Sequence, residues 1–413
     1  MTRRVVITGM GTINALGHNL EETWAGLLAG TSGVGPITLF DASRMLVQIA
    51  CEVKDYSPED YLEPKQARRL DRYQQFAHIA AREALAQSGL QIPKSDPTRV
   101  GVMISTAVGG LMSLEAGIRL LDEQGPRRLS PFMIPMFMPN GAAGLIAIET
   151  GAQGPSFSIA SACASGSDTL GQAWTLIRSG AIDACIAGAS EATITEIGLG
   201  CFDRMGALSR RNDPPYRTPA PFDSSRDGLV MGEGAAVLIL EELEQARARG
   251  ATILGELVGY GSTADAYHVT APSESGQGGA AAMRIAMETA GLRPEQVGYI
   301  NAHGTGTVLN DLSETRAIKV ALGEHAYNVA ISSTKSMTGH IMGATGALEA
   351  IVCVQVLREG IIPPTINLRD PDPACDLDYV PGEARQAEVE AALSNAFGFG
   401  GHNATLAFRR FQG

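Results

Sequence analysis

Ser158-Ile159-Ala160-Ser161-Ala162-Cys163-Ala164-Ser165-Gly166 runs from an apolar approach into small residues and then into the helical stretch Asp168 to Arg178. The pattern puts a cysteine at a helix start, where unpaired backbone N–H groups and the helix dipole favour the thiolate, the reactive form. Small neighbours leave a substrate room to approach. The same surroundings also fit a buried structural cysteine, the reading given to the other five cysteines of the chain.

Asn301-Ala302-His303-Gly304-Thr305-Gly306-Thr307 follows the strand-like run Val297 to Ile300. His303 therefore lies where the carboxyl end of a strand opens into a glycine-rich loop, a favoured ligand position. Ser332-Ser333-Thr334-Lys335-Ser336-Met337-Thr338-Gly339-His340 has the same character, and its Lys335 and His340 precede a small-residue helix containing Glu349. One histidine alone is usually structural, but two with a lysine beside a candidate nucleophile point to acid, base or electrostatic roles. Near the C-terminus, Asn395-Ala396-Phe397-Gly398-Phe399-Gly400-Gly401-His402-Asn403 sets glycines around aromatics. Such a loop can present backbone N–H groups to a developing oxyanion. Dinucleotide binding is excluded because Gly9-Met10-Gly11 is followed by Asn14 where the third glycine belongs. His303 and His340 match no compact zinc spacing, so no catalytic metal is expected.

The elements that position these residues alternate. Val5-Val6-Ile7, Val100 to Ile104 and Val237 to Leu240 read as strands, while Ala77 to Leu90 reads as a helix, which makes the fold α/β. Ala80 to Leu90 ends in Ser88-Gly89-Leu90 before Pro97-Thr98-Arg99-Val100-Gly101, and Ala282 to Leu292 ends in Ala290-Gly291-Leu292 before Pro294-Glu295-Gln296-Val297-Gly298. Helix, glycine stop and strand recur in one order, and each series leads to a strand-to-helix turn, at Ile159 to Gly166 and at Ile331 to Gly346. We read a duplicated α/β unit, residues 1–250 carrying Cys163 and residues 251–413 carrying His303, Lys335 and His340. With 413 residues the chain exceeds the ~250–300 at which single cores stop growing. Its net charge of −12 excludes nucleic acid as a general partner. Six cysteines without a C-x-x-C pair, and no secretory leader after Arg3-Arg4, place the chain in the cytoplasm. The charge-free run Leu129 to Ile148 is broken by Pro131, Pro135 and Pro139, so no membrane span is expected.

Together, the Cys163 turn, Asn301 to Thr307, Lys335 to His340 and the Gly-Phe-Gly-Gly run at 398–401 resemble the β-ketoacyl-acyl-carrier-protein synthases. Thr263 to His268 and Asp227 to Gly234 are most similar to the elongating type II enzymes of fatty-acid synthesis. The resemblance implies a thiolase-like fold of five α/β/α/β/α layers, a homodimer and acyl carrier protein as partner. It further implies an enzyme with no cofactor of its own, whose substrates ride on the carrier's phosphopantetheine. It implies Cys163 as the acyl-accepting nucleophile and His303 and His340 for malonyl decarboxylation. Lys335, paired with Glu349, sets the histidine electrostatics, and the N–H groups of Cys163 and Phe399 form an oxyanion hole. Thr305 and Thr307 correspond to pantetheine-binding hydroxyls, Phe399 to a gate and Val108 to the acyl-pocket lining. Lys65, Arg68, Arg69, Arg127 and Arg128 would dock the acidic carrier. Gly306 and Val308 depart from the family's usual Ser and Pro. A thiolase would need a C-terminal C-x-G, but Cys375 is followed by Asp376-Leu377. A starter-unit synthase would carry Asn in place of His340, and a chain-length partner would lack Cys163. The alternative that remains is a polyketide elongating subunit.

Overall fold

A computed structural model of the chain describes residues 3–92 and 96–412. Ten strands form one sheet: β1 (Val5–Asn14), β2 (Val100–Ser105), β3 (Ser156–Phe157), β4 (Ala184–Glu191), β5 (Gly234–Glu242), β6 (Gly255–Ala264), β7 (Val297–Asn301), β8 (Ala330–Ser332), β9 (Ala391–Gly398) and β10 (His402–Arg409). Their spatial order is β8-β7-β9-β10-β6-β1-β5-β4-β2-β3. Read from either end, the first five and last five strands follow the same path. In each set the third, second and fourth strands run parallel, and the fifth and first are antiparallel to their neighbours. The two sets meet at a seam of two residue pairs, Val6 with Glu256 and Ile7 with Gly255.

Local rules explain the repeated helices. Helix α1 (Arg72–Ser88) starts at Asp71, whose side chain accepts from the Tyr73 N–H while Gln74 reaches back to the Asp71 N–H, a capping box. α1 stops at Gly89 (φ 62°), and α4 (Gln277–Ala290) stops at Gly291 (φ 63°), both left-handed C-caps that favour glycine. A proline-led 3₁₀ turn then enters β2 or β7. The remaining helices of the layers are α2 (Gly141–Thr150), α3 (Ser165–Arg178), α5 (Val308–Leu322) and α6 (Thr345–Glu359).

Strand alternation sorts side chains into three cores. In β5, Ala236, Leu238 and Leu240 join a central cluster with Leu170, Trp174 and Ile177 of α3 and Leu348, Ile351 and Val352 of α6. Ala235, Val237 and Ile239 face the other way, onto α1 and α2. In the second set, Ile300 and Leu393 pack with Met283 and Ala286 of α4 and Ile318 of α5. The layers are therefore α1/α2, half-sheet, α3/α6, half-sheet, α4/α5, the five-layer arrangement the resemblance implies. α3 and α6 approach at Gly166 and Gly346: a Cβ there would fall 2.8 Å from the Ala347 nitrogen and 2.3 Å from Ser167 Oγ. Among the described residues no helix is long and apolar enough to cross a membrane. The run Leu129 to Ile148 instead forms the short helix Met133–Phe137 and most of α2.

Candidate active site

Cys163 lies in a one-turn 3₁₀ helix, Ala162–Ala164, that feeds directly into α3. Ala162 is left-handed (φ 52°), a conformation disfavoured for any residue with a Cβ, and this kink turns the next side chain out of the layer. The thiol is 8% exposed in a cavity of about 290 Å³ that Phe202, His303, Thr305, His340 and Phe399 also line. The N–H groups of Phe399 and of Cys163 itself lie on the sulfur's side and favour its anion. Burial nevertheless pushes the thiol up to about 11, against the pull of Lys335 and those two N–H groups. This corrects the expectation that the helix start favours the thiolate: Cys163 precedes the first residue of α3, and desolvation of a buried anion outweighs the nearby partial charges.

The histidines arrive from the second half. The His303 and Gly304 N–H groups donate to Glu314 at 2.8 and 2.7 Å. This carboxylate, from the second turn of α5, braces the loop that leaves β7. The His340 N–H donates to the Val230 carbonyl at 2.8 Å, and its Nδ1 lies 2.9 Å from Thr345 Oγ1. The two rings meet edge to face with centroids 5.3 Å apart. His303 Nδ1 and His340 Nε2 are buried without a partner among the described residues. Burial, reinforced by the Lys335 charge, holds both imidazoles well below the usual histidine range, so both are neutral at pH 7. Lys335 Nζ lies 2.5 Å from Glu349 Oε1, and both side chains are buried. Burial pushes the Glu349 carboxyl up to about 8 despite the ammonium beside it.

Thr305 and Thr307 line the cavity with their hydroxyls 2.9 Å apart. The two departures from the family wording suit their positions. Gly306 is left-handed (φ 79°), where glycine carries no steric penalty, and Val308 is the first residue of α5, a position open to most residues. Phe399 stacks on Phe202 with centroids 6.1 Å apart, and Gly400 and Gly401 are both left-handed, which lets the chain turn back into β10.

Other expected residues lie elsewhere. Val108 is 44% exposed in the single chain and outside the cavity lining, and the Ala107 and Val108 N–H groups are tied to Glu191. Lys65 is in the one-turn helix Pro64–Ala67, Arg68 closes it, and Arg69 lies over Phe132 at 4.5 Å. Arg127 and Arg128 occupy the 3₁₀ turn Pro126–Arg128. All five cations are exposed, and the Arg69–Phe132 contact links the chain segments that bear them. Among the described residues no cluster of three or more His, Cys, Asp or Glu side chains could hold a metal.

Sequence reading missed the buried carboxylates behind the loops. Glu191, pushed up to about 7 by burial, accepts from the Thr106 hydroxyl and the Ala107 and Gly343 N–H groups. Glu314 and Asp311 are pushed up to about 7 and about 6 in the same way. The signal for the latter pair was present: two acids three residues apart at the start of a helix, directly after a glycine-rich loop, are placed to collect loop N–H groups.

Known proteins match this geometry along the whole chain. The family model "Beta-ketoacyl synthase, N-terminal domain" covers residues 2–246, and "Beta-ketoacyl synthase, C-terminal domain" covers residues 254–369. The chain is 52% identical over 410 residues to 3-oxoacyl-[acyl-carrier-protein] synthase 2 of Synechocystis sp., with 99% of each chain covered. It is 46% identical over 410 residues to the protein of that name from Staphylococcus aureus, again with 99% of each covered. A β-ketoacyl synthase from Burkholderia phymatum superposes with a TM-score of 0.92 at 37% identity, covering 99% of this chain and 100% of that one. A type II PKS ketosynthase solved with its acyl-carrier protein superposes with a TM-score of 0.91 at 35% identity, covering 100% of both. The chain belongs to the β-ketoacyl synthase family.

Proposed function

We infer that the chain condenses an acyl group, carried as a thioester on Cys163, with malonyl-acyl carrier protein, releasing carbon dioxide and 3-oxoacyl-acyl carrier protein in the elongation step of fatty-acid synthesis. The observation that carries this reading is one cavity holding a thiol, two N–H groups at its sulfur and two neutral imidazoles. Cys163 loses its proton as its sulfur attacks the incoming thioester carbonyl, and the carrier's pantetheine sulfur leaves as a thiol. The N–H groups of Cys163 and Phe399 are placed to stabilise the oxyanion of that step. Malonyl-carrier then enters past Thr305 and Thr307. As its carboxylate carbon leaves as carbon dioxide, the bonding electrons pass into an enolate, whose oxygen the N–H donors of His303 and His340 stabilise. The enolate carbon attacks the acyl-cysteine carbonyl, the carbon–sulfur bond breaks, and Cys163 leaves as a thiolate that takes up a proton from solvent. No step requires a bound cofactor. Burial and the Lys335 charge keep both imidazoles neutral, Glu349 holds Lys335 in place, and Phe399 gates the acyl chain.

Lys65, Arg68, Arg69, Arg127 and Arg128 offer an acidic carrier a local positive surface on a chain of net charge −12. A second copy is the natural cover for the edge strand β3 and for the exposed Val108, Ile118 and Ile134. That homodimer would close the acyl pocket on the Val108 side. Residues 1–250 and 251–413 are the two thiolase-like halves of each chain, and the six free cysteines suit the cytoplasm.

The test is incubation of the purified protein with malonyl-carrier and acyl-carriers of graded length, with products read by mass spectrometry. Release of carbon dioxide without chain extension on any acyl-carrier would defeat the reading. A polyketide elongating subunit is the second reading, favoured by the type II PKS ketosynthase that superposes at TM-score 0.91. Repeated extension without reduction of each keto group would select it.

A further inference from the structure

Asp168, in the first turn of α3, is a buried carboxylate whose two oxygens are held from opposite halves of the molecule. Ser161 Oγ donates to Oδ2 at 2.5 Å, and the Tyr260 hydroxyl donates to Oδ1 at 2.6 Å. Tyr260 belongs to β6, the first strand of the second half, and its ring lies flat on α3 at Gly171. A Cβ at Gly171 would fall 2.4 Å from that ring, so the contact needs glycine there. Ser161 in turn immediately precedes the left-handed Ala162. Its N–H donates to Ser165 Oγ at 3.0 Å, and its carbonyl accepts from the Ala164 N–H at 3.1 Å. The backbone that presents the Phe399 N–H rests against the same residue, since a Cβ at Gly398 would stand 2.7 Å from the Ser161 carbonyl oxygen. Neither Ser161, Asp168 nor Tyr260 lines the cavity.

A left-handed alanine persists only where its surroundings over-determine it. Hydrogen bonds to an anionic acceptor are shorter and stronger than neutral ones. We propose that Asp168, bridged to the second half by Tyr260, is a positioning residue for acylation of Cys163: it holds Ser161, and through Ser161 the strained turn that aims the thiol at the Phe399 and Cys163 N–H groups. The inference rests on Cys163 being the acyl-accepting residue. Its specific consequence is that loss of the network slows acyl transfer while malonyl decarboxylation, which runs through His303 and His340, is unaffected.

Single-turnover acylation of Cys163 by acyl-carrier, malonyl-carrier decarboxylation and thermal unfolding are measured on the full chain. The variants are Asp168→Asn, Ser161→Ala, Ser161→Thr and Tyr260→Phe. Tyr260→Phe keeps the ring against Gly171 and removes only the hydroxyl. Acylation is expected to slow roughly tenfold in Asp168→Asn and Ser161→Ala and about threefold in Tyr260→Phe, with decarboxylation within about twofold of wild type. Ser161→Thr, which keeps a hydroxyl, should recover most of the rate lost in Ser161→Ala. Adding Tyr260→Phe to Asp168→Asn should cost nothing more, because the two act through one carboxylate. Unchanged acylation in Ser161→Ala and Tyr260→Phe would overturn the proposal, as would equal slowing of both half-reactions. Should Asp168→Asn fail to fold, the serine and tyrosine variants decide. Absence of any acyl adduct on wild-type Cys163 would instead overturn the proposed function itself.

Discussion

In the first half of the molecule, left-handed Ala162 (φ 52°) leads through the 3₁₀ turn Ala162–Ala164 into α3; in the second, left-handed Met342 (φ 41°) leads through Met342–Ala344 into α6. Each helix then opens with a hydroxyl residue and a glycine, Ser165-Gly166 and Thr345-Gly346. The turns differ at their middle position, which is Cys163 in one and Gly343 in the other. Each is also closed by the fourth strand of the opposite half. At the end of β4, Glu191 accepts the Gly343 N–H at 3.1 Å, and a Cβ on Gly343 would fall 2.5 Å from the Ala107 nitrogen. At the end of β9, Gly398 and Phe399 close on Cys163 with a backbone N–H instead of a carboxylate. A carboxylate takes the middle N–H of one turn and backbone fills its space. The other turn keeps its N–H groups turned toward a cavity. One repeated turn is thus braced as a strut in one half and left facing a cavity with a thiol in the other, according to what stands opposite.

The strongest way to break the comparison is to remove the middle side chain. Cys163→Ala should lower acyl transfer by roughly 10⁴-fold or more, while malonyl-carrier decarboxylation survives, because enolate stabilisation needs no thiol. Mass spectrometry of the intact protein should lose the acyl adduct entirely; an adduct on another cysteine with Cys163 unmodified would refute the assignment. His303→Ala and His340→Ala should each reduce decarboxylation by about 10²–10³-fold, the scale of a lost donor to a developing oxyanion. Single-turnover acylation of Cys163 should stay within a few-fold, and the reverse pattern would exchange the roles.

Proton chemistry sharpens the comparison further. With the Cys163 thiol raised to about 11, alkylation by iodoacetamide should speed up about tenfold for each pH unit between about pH 7 and pH 9. Decarboxylation should stay flat across about pH 6.5 to 8, because both imidazoles are already neutral there. A plateau of alkylation from pH 7 upward would show a thiolate already formed.

The smallest effect concerns the strut. Gly343→Ala should destabilise the fold by about 1–3 kcal/mol through overpacking, while leaving acylation rates unchanged. Glu191, raised by burial to about 7, contributes stability that is present below its unfolded value of about 4.5 and lost as pH rises through about 7. Glu191→Gln should therefore flatten the fall of the unfolding midpoint over that range. A midpoint with the same slope in the variant would remove Glu191 from this account.

Much of the site could be read before folding. The small residues around Cys163, the glycine-rich loops at His303 and Phe399 and the Lys335–His340 run are local patterns, and the structure gathers all of them at one cavity or directly behind it. The recurrence of helix, glycine and strand is equally local, since a left-handed cap at Gly89 or Gly291 depends on its own neighbours. Glu191 was less accessible to sequence reasoning: the N–H groups it collects, those of Ala107, Val108 and Gly343, come from two distant segments. Asp168 is a similar case, because its partners are seven residues before it and 92 residues after it.

The sequence by itself determined an α/β chain built twice, the candidate nucleophile and histidines, and the turns on which they sit, because capping, strand alternation and left-handed glycines act over a few residues. The tertiary structure alone decided which turn faces a cavity and which is braced by a carboxylate, and it shifted the protonation equilibria of the groups around them. Both follow from burial between layers. Desolvation raised the Cys163 thiol and the carboxyls of Glu191, Asp311, Glu314 and Glu349 and lowered two imidazoles, and it depends on packing between segments far apart in the chain.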